Sequence, residues 1–238
     1  MPVQKELKNW YIWEYVEPRT PWANTLAYYP LNWDLNDYSW NSRNLTADGT
    51  PIYTTLGEKQ VASFDGTWEG GYLNNNLLKG LQPFTYVVWV NPSSITSWMS
   101  EGAFNCNIVM TIRNGADTGI YDKALLLQET NKATAYNYYN WRITPSLSWV
   151  STNTWQMLTA VFDWSTLTTY INTNSTSLSC WWSYTGYSNA TMIIGSKVAW
   201  WHIFPYYWLM SSVIVENKVR TAEEIQNYYN QTKSNYWL

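Results

Sequence analysis

Short stretches rich in Val, Ile, Thr, Tyr and Trp recur along the chain, and clusters of Asn, Ser, Asp, Gly and Pro separate them. In these stretches apolar residues either alternate with polar ones or form β-branched runs, as half-buried and buried strands do. The clearest predicted strands are residues 84–90, 107–112, 124–128, 156–162, 166–171, 192–195 and 209–215. Many short strands separated by turn residues predict an all-β fold.

One segment near the C-terminus has a helical pattern instead. Thr221 is followed three residues later by Glu224, which is the spacing of a capping box. Apolar and aromatic residues then follow at helical intervals: Ile225, Tyr228 and Tyr229. We therefore predict a short helix over residues 222–231.

The chain shows no fixed-period repeat, charge run or Gly/Ser-rich linker that would divide it. A length of 238 residues suits one large β-sandwich with a full core. Residues 1–21 lack periodicity, and we predict that they form an N-terminal arm or linker. Residues 22–238 are predicted to form the single domain.

Several segments carry a family resemblance in the right order along the chain. They are residues 24–50 (NTLAYYPLNWDLNDYSWNSRNLTADGT), 61–73 (VASFDGTWEGGYL), 83–94 (PFTYVVWVNPSS), 153–172 (NTWQMLTAVFDWSTLTTYIN) and 206–229 (YYWLMSSVIVENKVRTAEEIQNYY). Together these segments resemble the laminin-G-like jelly-roll domains of the concanavalin A-like lectin and glucanase superfamily. The resemblance implies a two-sheet antiparallel jelly-roll sandwich, with one short C-terminal helix where the capping box predicts it.

Tryptophan stands where the family pattern has glycine at four positions, namely Trp33, Trp40, Trp164 and Trp208. The chain also carries 18 Trp beside only 11 Gly, whereas Gly usually makes up about 7% of a protein. One hypothesis, which we favour, is that the source reads UGA as glycine and that these codons were translated as Trp. The alternative is an exposed aromatic platform for a ligand. Trp89 and Trp155 match Trp in the family pattern and are expected to be structural.

Residue types needed for catalysis are scarce, so we predict that the protein is not an enzyme. Glucanases of this fold place two Glu and an Asp along one strand, and no such motif occurs here. Glu216, Glu223 and Glu224 are expected to be exposed polar residues or a helix cap. The single histidine, His202, has no nucleophile-elbow motif beside it and no spacing of zinc ligands around it.

Charge and composition exclude further classes of function. The net charge is −3, with 14 Lys plus Arg, so we expect no nucleic-acid partner. No apolar run approaches the ~20 residues needed to span a bilayer, and the N-terminus carries no signal-peptide pattern. We expect an extracellular, cell-surface or virion location without membrane insertion. Cys106 and Cys180 either stay as free thiols, which we favour, or form one bridge.

Calcium is the cofactor that the resemblance leaves open. Oxygen donors in predicted loops are Asp34, Asn36, Asp37, Asp65 and Asp163. Roles in turns and Asx caps are the favoured reading of these residues. The family ending has Asp where this chain has Ser211, so we transfer no metal site. Asp34 and Asp37 remain as weak calcium candidates.

Residues 135–143 (AYNYYNWRI) combine aromatic rings with amide and guanidinium groups. Rings that stack on sugars, beside polar groups that bond hydroxyls, are the chemistry of a glycan site. The candidate ligand-binding residues are Tyr136, Asn137, Tyr138, Tyr139, Trp141 and Arg142. An ordinary strand with cross-strand aromatic pairs is the alternative.

The sequence thus predicts a noncatalytic recognition module that binds glycans or a protein partner on a cell surface or phage particle. Fold analogy carries most of this prediction. The alternative is a structural or assembly protein of a virion, a decoration or fibre component that binds no small ligand. A large, flat apolar surface would favour that alternative.

Overall fold

The structure, a computed structural model, describes residues 3–7, 10–14, 24–57, 59–65, 69–74, 77, 83–95, 100–101, 104–114, 121–128, 131–137, 145–179, 190–195, 198–199, 202–203 and 207–236. Its strands in chain order are β1 (Val3–Leu7), β2 (Trp10–Glu14), β3 (Thr25–Tyr29), β4 (Thr46–Asp48), β5 (Ile52–Leu56), β6 (Lys59–Asp65), β7 (Gly70–Asn74), β8 (Phe84–Pro92), β9 (Ser100–Glu101), β10 (Phe104–Asn114), β11 (Tyr121–Gln128), β12 (Lys132–Asn137), β13 (Ser146–Ser148), β14 (Gln156–Phe162), β15 (Thr166–Ile171), β16 (Asn174–Ser179), β17 (Ala190–Gly195), β18 (Val198–Ala199), β19 (His202–Ile203) and β20 (Tyr207–Glu216). The predicted all-β class is confirmed.

Two antiparallel sheets of eight strands each dominate the described residues. The first sheet runs in the order β13, β12, β11, β10, β17, β7 and β4, and β9 pairs with the end of β10. The second runs β16, β15, β14, β8, β20, β6 and β5, and β3 also pairs with β20. This is the two-sheet antiparallel sandwich that the sequence predicts.

The main core lies between the two sheets, and the register of the first sheet shows how it is built. Gly71, Ile194, Met110, Leu125 and Ala135 lie directly opposite one another on five neighbouring strands. The last four are buried side chains of the same apolar cluster. Alternation along each strand places such a row on one face of the sheet. Burial of this face drives the sandwich together.

The helix α1 (Ala222–Thr232) confirms the C-terminal prediction and runs one residue further than expected. Thr221 accepts a hydrogen bond from the Glu224 backbone, and the Glu224 side chain accepts one from the Thr221 backbone. The 3-10 helix η1 (Lys233–Tyr236) follows. Both helices contribute to a second apolar cluster. In it the Tyr236 ring stacks on Trp89, with 4.2 Å between the ring centroids.

The first 21 residues contain more regular structure than predicted. β1 and β2 pair in antiparallel fashion, from Val3 opposite Glu14 to Leu7 opposite Trp10. The two strands therefore form where the sequence shows no periodic pattern, and the assignment of residues 1–21 to an N-terminal arm or linker stays a prediction. Each strand has only five residues, which is too short for alternation to stand out from its surroundings.

No helix in the described part of the chain is long and apolar enough to cross a membrane.

Candidate binding site

The segment predicted to bind a ligand falls only partly within the described residues. Tyr136 and Asn137 are the last two residues of β12, and their Cα atoms pair with those of Ala124 and Lys123 on β11. The other four candidates, Tyr138, Tyr139, Trp141 and Arg142, lie outside the described residues. The strand part of the prediction is therefore placed at the end of β12 in the first sheet, and the site itself stays a prediction.

A second surface with candidate binding chemistry is the loop between β3 and β4, residues 30–45, which we call the β3–β4 loop. It displays three aromatic side chains: Trp33 is 68% exposed, Tyr38 38% and Trp40 77%. Polar groups surround them in sequence, since Asp34, Asn36 and Asn41 lie in the same loop. Sequence reasoning overlooked Tyr38, whose signal was an aromatic residue amid Asn, Asp and Ser.

The buried carboxylate of Asp37 fixes the backbone of this loop through hydrogen bonds. It is only 9% exposed, and its carboxylate accepts hydrogen bonds from four donors. Oδ1 accepts from the backbone N–H groups of Tyr28 at 2.9 Å and Ser39 at 2.8 Å. Oδ2 accepts from the Ser39 hydroxyl and the Arg43 backbone, both at 2.8 Å. A buried carboxylate with this many donors is well satisfied and fixes the chain around it.

Further bonds join the β3–β4 loop to the free edge of β3. The Asn41 amide donates to the backbone carbonyls of Thr25 and Leu26, and Arg43 Nη1 donates to Leu26 at 2.7 Å. The Tyr29 hydroxyl donates to the Arg43 carbonyl at 2.7 Å. Burial, reinforced by the charge of Asp37, raises the pKa of Tyr29 far above its ordinary value. The loop thus covers a strand edge that would otherwise be open to pairing.

The base of the β3–β4 loop rests on an irregularity in β20. Ser212 has a positive φ of 52°, and its backbone donates to the Pro30 carbonyl at 3.3 Å. The Ser211 hydroxyl also donates to Pro30, at 3.2 Å. From the other side, the Tyr236 hydroxyl bonds both serine hydroxyls at 3.2 Å. Ser211, which stands where the family has Asp, therefore links the loop to the C-terminal helices.

The calcium candidates are engaged in hydrogen bonds of this loop. Both oxygens of Asp37 are occupied by donors. Asp34 accepts from the Asn36 backbone at 3.0 Å, the Asn36 amide at 2.6 Å and the Tyr38 hydroxyl at 3.3 Å. Within the described part of the chain, no three His, Cys, Asp or Glu side chains are grouped to hold a metal ion. Calcium binding stays a prediction that would require these donors to move.

Asp163 likewise acts as a turn residue. Its Oδ1 accepts from the Ser165 backbone and hydroxyl and from the Thr166 backbone, the last at 2.7 Å. Burial alone would raise the pKa of Asp163, but these hydrogen bonds outweigh it and lower the pKa. This is the Asx geometry expected of a hairpin turn.

The four tryptophans that replace family glycines fall into different environments. Trp33 and Trp40 are exposed, and neither has a positive φ. Trp164 is 55% exposed with a φ of 78°. Trp208 is only 3% exposed, in β20 opposite Phe64. The platform hypothesis is therefore wrong for Trp208, because strand pairing and core packing bury its ring.

The expectation that Glu216 is an exposed polar residue was wrong. Its side chain is fully buried at the end of β20, where Arg220 Nε donates to Oε2 and Arg220 Nη2 donates to Oε1 at 3.0 Å. The Arg220 backbone also donates to the Thr85 hydroxyl at 3.1 Å. The bidentate ion pair with Arg220 compensates for the burial of the Glu216 carboxylate. Glu223 is exposed and Glu224 caps α1, as expected.

One carboxylate pair escaped the sequence analysis. Glu69 is 7% exposed and accepts from the Asp65 backbone at 3.1 Å. Burial is the largest cause that raises the pKa of Glu69, and the nearby Asp65 carboxylate adds to the rise. Such a pair could exchange a proton, so it is the first place to test for catalysis.

The structure also places the cysteine, histidine and tryptophan residues that the sequence analysis singled out. Cys106 lies in β10, and its backbone pairs with Gln128, while Cys180 lies outside the described residues. His202 belongs to the small β18–β19 pair, opposite Ala199. Trp89 and Trp155 are 0% and 4% exposed, which confirms their structural role.

The two packed antiparallel sheets define the class of jelly-roll sandwich domains. A laminin G family profile, described as the concanavalin A-like lectin/glucanases superfamily, matches residues 65–226. The chain belongs to this superfamily, as the sequence resemblance implies. A comparison with curated proteins finds no significant match.

Solved structures share the fold at low sequence identity. Domain 4 of AbnA, a GH43 extracellular arabinanase from Geobacillus stearothermophilus, in complex with arabinotriose, has a TM-score of 0.60 and 19% identity over 86% of this chain and 97% of that domain. The receptor binding domain of botulinum neurotoxin D has a TM-score of 0.65 and 13% identity over 88% of this chain and 53% of its own. Trypanosoma rangeli sialidase has a TM-score of 0.64 and 10% identity over 90% and 33%. The chain spans about half of the toxin domain and a third of the sialidase.

Proposed function

We propose that this domain is a noncatalytic recognition module that binds glycans or a protein partner, displayed on a cell surface or a phage particle. The observation that carries the proposal is the likeness to domain 4 of AbnA. That domain was solved with arabinotriose, and this chain covers 97% of its length. The glycan is therefore the ligand to test first.

The described carboxylates support a noncatalytic role. The buried Glu216 carboxylate is paired with Arg220. Both carboxylate oxygens of Asp37 accept hydrogen bonds from backbone and hydroxyl donors. A glycosidase needs two carboxyl groups facing a shared cleft, about 5–10 Å apart. Asp65 and Glu69 are instead in direct contact, through the hydrogen bond from the Asp65 backbone to Glu69 and through their two carboxyl groups.

We propose two surfaces as alternatives for the ligand. The first is the predicted segment from Tyr136 to Arg142, of which the structure describes Tyr136 and Asn137, the last two residues of β12. The second is the β3–β4 loop, in which Asp37 fixes the backbone beneath exposed Tyr38. A preorganised loop loses little conformational freedom on binding, which favours affinity. Both surfaces combine rings with amide groups.

A glycan array with the purified domain, including arabino-oligosaccharides, tests the proposal. We expect saturable binding to one class of glycan. Tyr136→Ala and Tyr38→Ala are matched variants, since each removes one phenol ring from one of the two surfaces. We expect the variant at the true site to weaken binding at least ~10-fold, which corresponds to about 1.4 kcal/mol. Absence of any glycan or protein ligand, together with ordered self-assembly, would instead favour the virion structural protein.

A further inference from the structure

Two tryptophans adopt backbone angles that belong to glycine. Trp149 has a φ of 87° and Trp164 a φ of 78°. Among the residues that the structure describes, the other positive-φ residues that are not glycine all lie between 52° and 56°, namely Leu31, Ser42, Asn131, Asn153, Asn172 and Ser212. That range is the small left-handed region open to L-residues. Of the three described glycines with a positive φ, Gly57 is at 58°, whereas Gly49 at 78° and Gly195 at 76° match the two tryptophans.

The turn at Trp164 identifies the residue that its backbone requires. Asp163 donates its N–H to the Thr166 carbonyl at 3.2 Å, so Trp164 and Ser165 are the two central residues of the β14–β15 hairpin. Of these two only Trp164 has a positive φ. This combination of φ signs is that of a type II′ turn, whose first central position is typically glycine.

The backbone at Trp149, just after β13, also adopts a φ that favours glycine. Trp149 follows β13, and the next residue, Val150, donates its N–H to the Asn131 carbonyl at 3.0 Å. Val150 is 2% exposed, so the chain must bend at Trp149 to bring Val150 into the core. The Trp149 ring itself is 85% exposed. Burial of the indole therefore does not offset the strain of its backbone.

We propose that the natural protein carries glycine at positions 149 and 164, encoded by UGA that its source reads as glycine and the standard code reads as Trp. The chain's 18 Trp and 11 Gly agree with such a misreading. Position 149 is identified by its backbone alone. The consequence for recognition is direct, because neither exposed indole belongs to the natural ligand surface. This inference does not depend on the proposed function.

Peptide mapping of the protein from its natural source tests the proposal directly. We expect the peptides that contain positions 149 and 164 to have the lower mass of glycine. Trp89 and Trp155, which are buried at 0% and 4% exposure, should remain Trp and serve as internal controls. Trp at both positions 149 and 164 would overturn the proposal.

A stability measurement on the printed chain tests the backbone argument separately. Trp164→Gly and Trp149→Gly should each raise Tm by about 2–4 °C, because glycine removes the strain at positive φ. Trp164→Ala should give no such rise, since alanine is strained there too. Trp40→Gly is the matched control, because Trp40 is 77% exposed and lacks a positive φ. An equal rise in Trp164→Ala or Trp40→Gly, or no rise in either glycine variant at positions 149 and 164, would contradict the argument.

Discussion

The helix-covered face of the second sheet and the β3–β4 loop both combine aromatic rings with a buried carboxylate, yet they use them in opposite ways. Under the C-terminal helices the rings are buried, as in the stack of Tyr236 on Trp89, and the Glu216 carboxylate pairs with Arg220. In the loop the Asp37 carboxylate is buried while the rings face solvent. The first arrangement stabilises the fold, whereas the second leaves aromatic rings exposed to solvent.

Breaking the buried ion pair between Glu216 and Arg220 should have the largest effect on stability. Arg220→Ala would leave the buried Glu216 carboxylate without its cation, which should cost about 3–5 kcal/mol in the free energy of unfolding. Lys218→Ala is the control, because it removes the partly exposed ion pair with Glu224 and should cost below ~1 kcal/mol. Denaturant unfolding of both variants measures the difference. Equal losses would show that the Glu216 pair is not special.

The next effect tests whether Asp37 organises the β3–β4 loop. Asp37→Ala removes four hydrogen bonds to a charged acceptor and should cost about 2–3 kcal/mol. Amide hydrogen exchange should accelerate at Ser39 and Arg43, whose N–H groups lose their acceptor. Asp34→Ala, in the same loop but bonded to the exposed side chains of Asn36 and Tyr38, should change stability by less than ~0.5 kcal/mol. Unchanged exchange in Asp37→Ala would contradict the role of Asp37 in organising the loop.

A smaller effect tests how α1 begins. Thr221→Ala removes the acceptor of the Glu224 backbone N–H and should destabilise the domain by about 1 kcal/mol. Thr221→Ser keeps the hydroxyl and should retain most of the stability. Thermal unfolding of the two variants separates the cap from a general effect of substitution. A loss as large in Thr221→Ser would argue against the cap.

The smallest effect is a dependence on pH. Hydrogen bonds from Lys218, then from the Thr221 backbone, lower the pKa of Glu224. A carboxyl whose folded pKa is lowered stabilises the fold above its unfolded pKa, about 4.3, and loses this contribution as the pH falls through the folded pKa. The Tm difference between wild type and Glu224→Gln should therefore shrink below about pH 4. Glu223→Gln, in the same turn but exposed, is the control and should show no comparable trend.

Local signals in the sequence predicted the elements with clear boundaries. β14 and β15 match their predicted limits, because Asp163 marks the turn between two strongly apolar runs. The capping box placed α1 correctly. Predicted strands at 107–112 and 209–215 proved longer, because backbone pairing with neighbouring strands continues past the apolar run that marked each prediction.

The parts that sequence reasoning missed depend on how the folded backbone places residues, including some that are close in sequence. Asp37 shows a local bond to Ser39, but its burial requires Tyr28 from β3 to lie alongside. Glu216 is followed by Arg220 at a spacing that suggests an ion pair on a helix, yet here the chain leaves a strand. Asp65 ends β6 and Glu69 directly precedes β7, two strands of different sheets, so their contact depends on how the two sheets are placed. None of these partners follows from composition or periodicity.

We propose that the domain binds its ligand without transforming it. The most direct test is to incubate the best glycan from the array with the purified domain and to follow the bound fraction and the products together by NMR. We expect saturable binding with the glycan recovered intact. Release of shortened sugars by the wild type but not by Glu69→Gln would contradict it, because the Asp65 and Glu69 pair would then be catalytic.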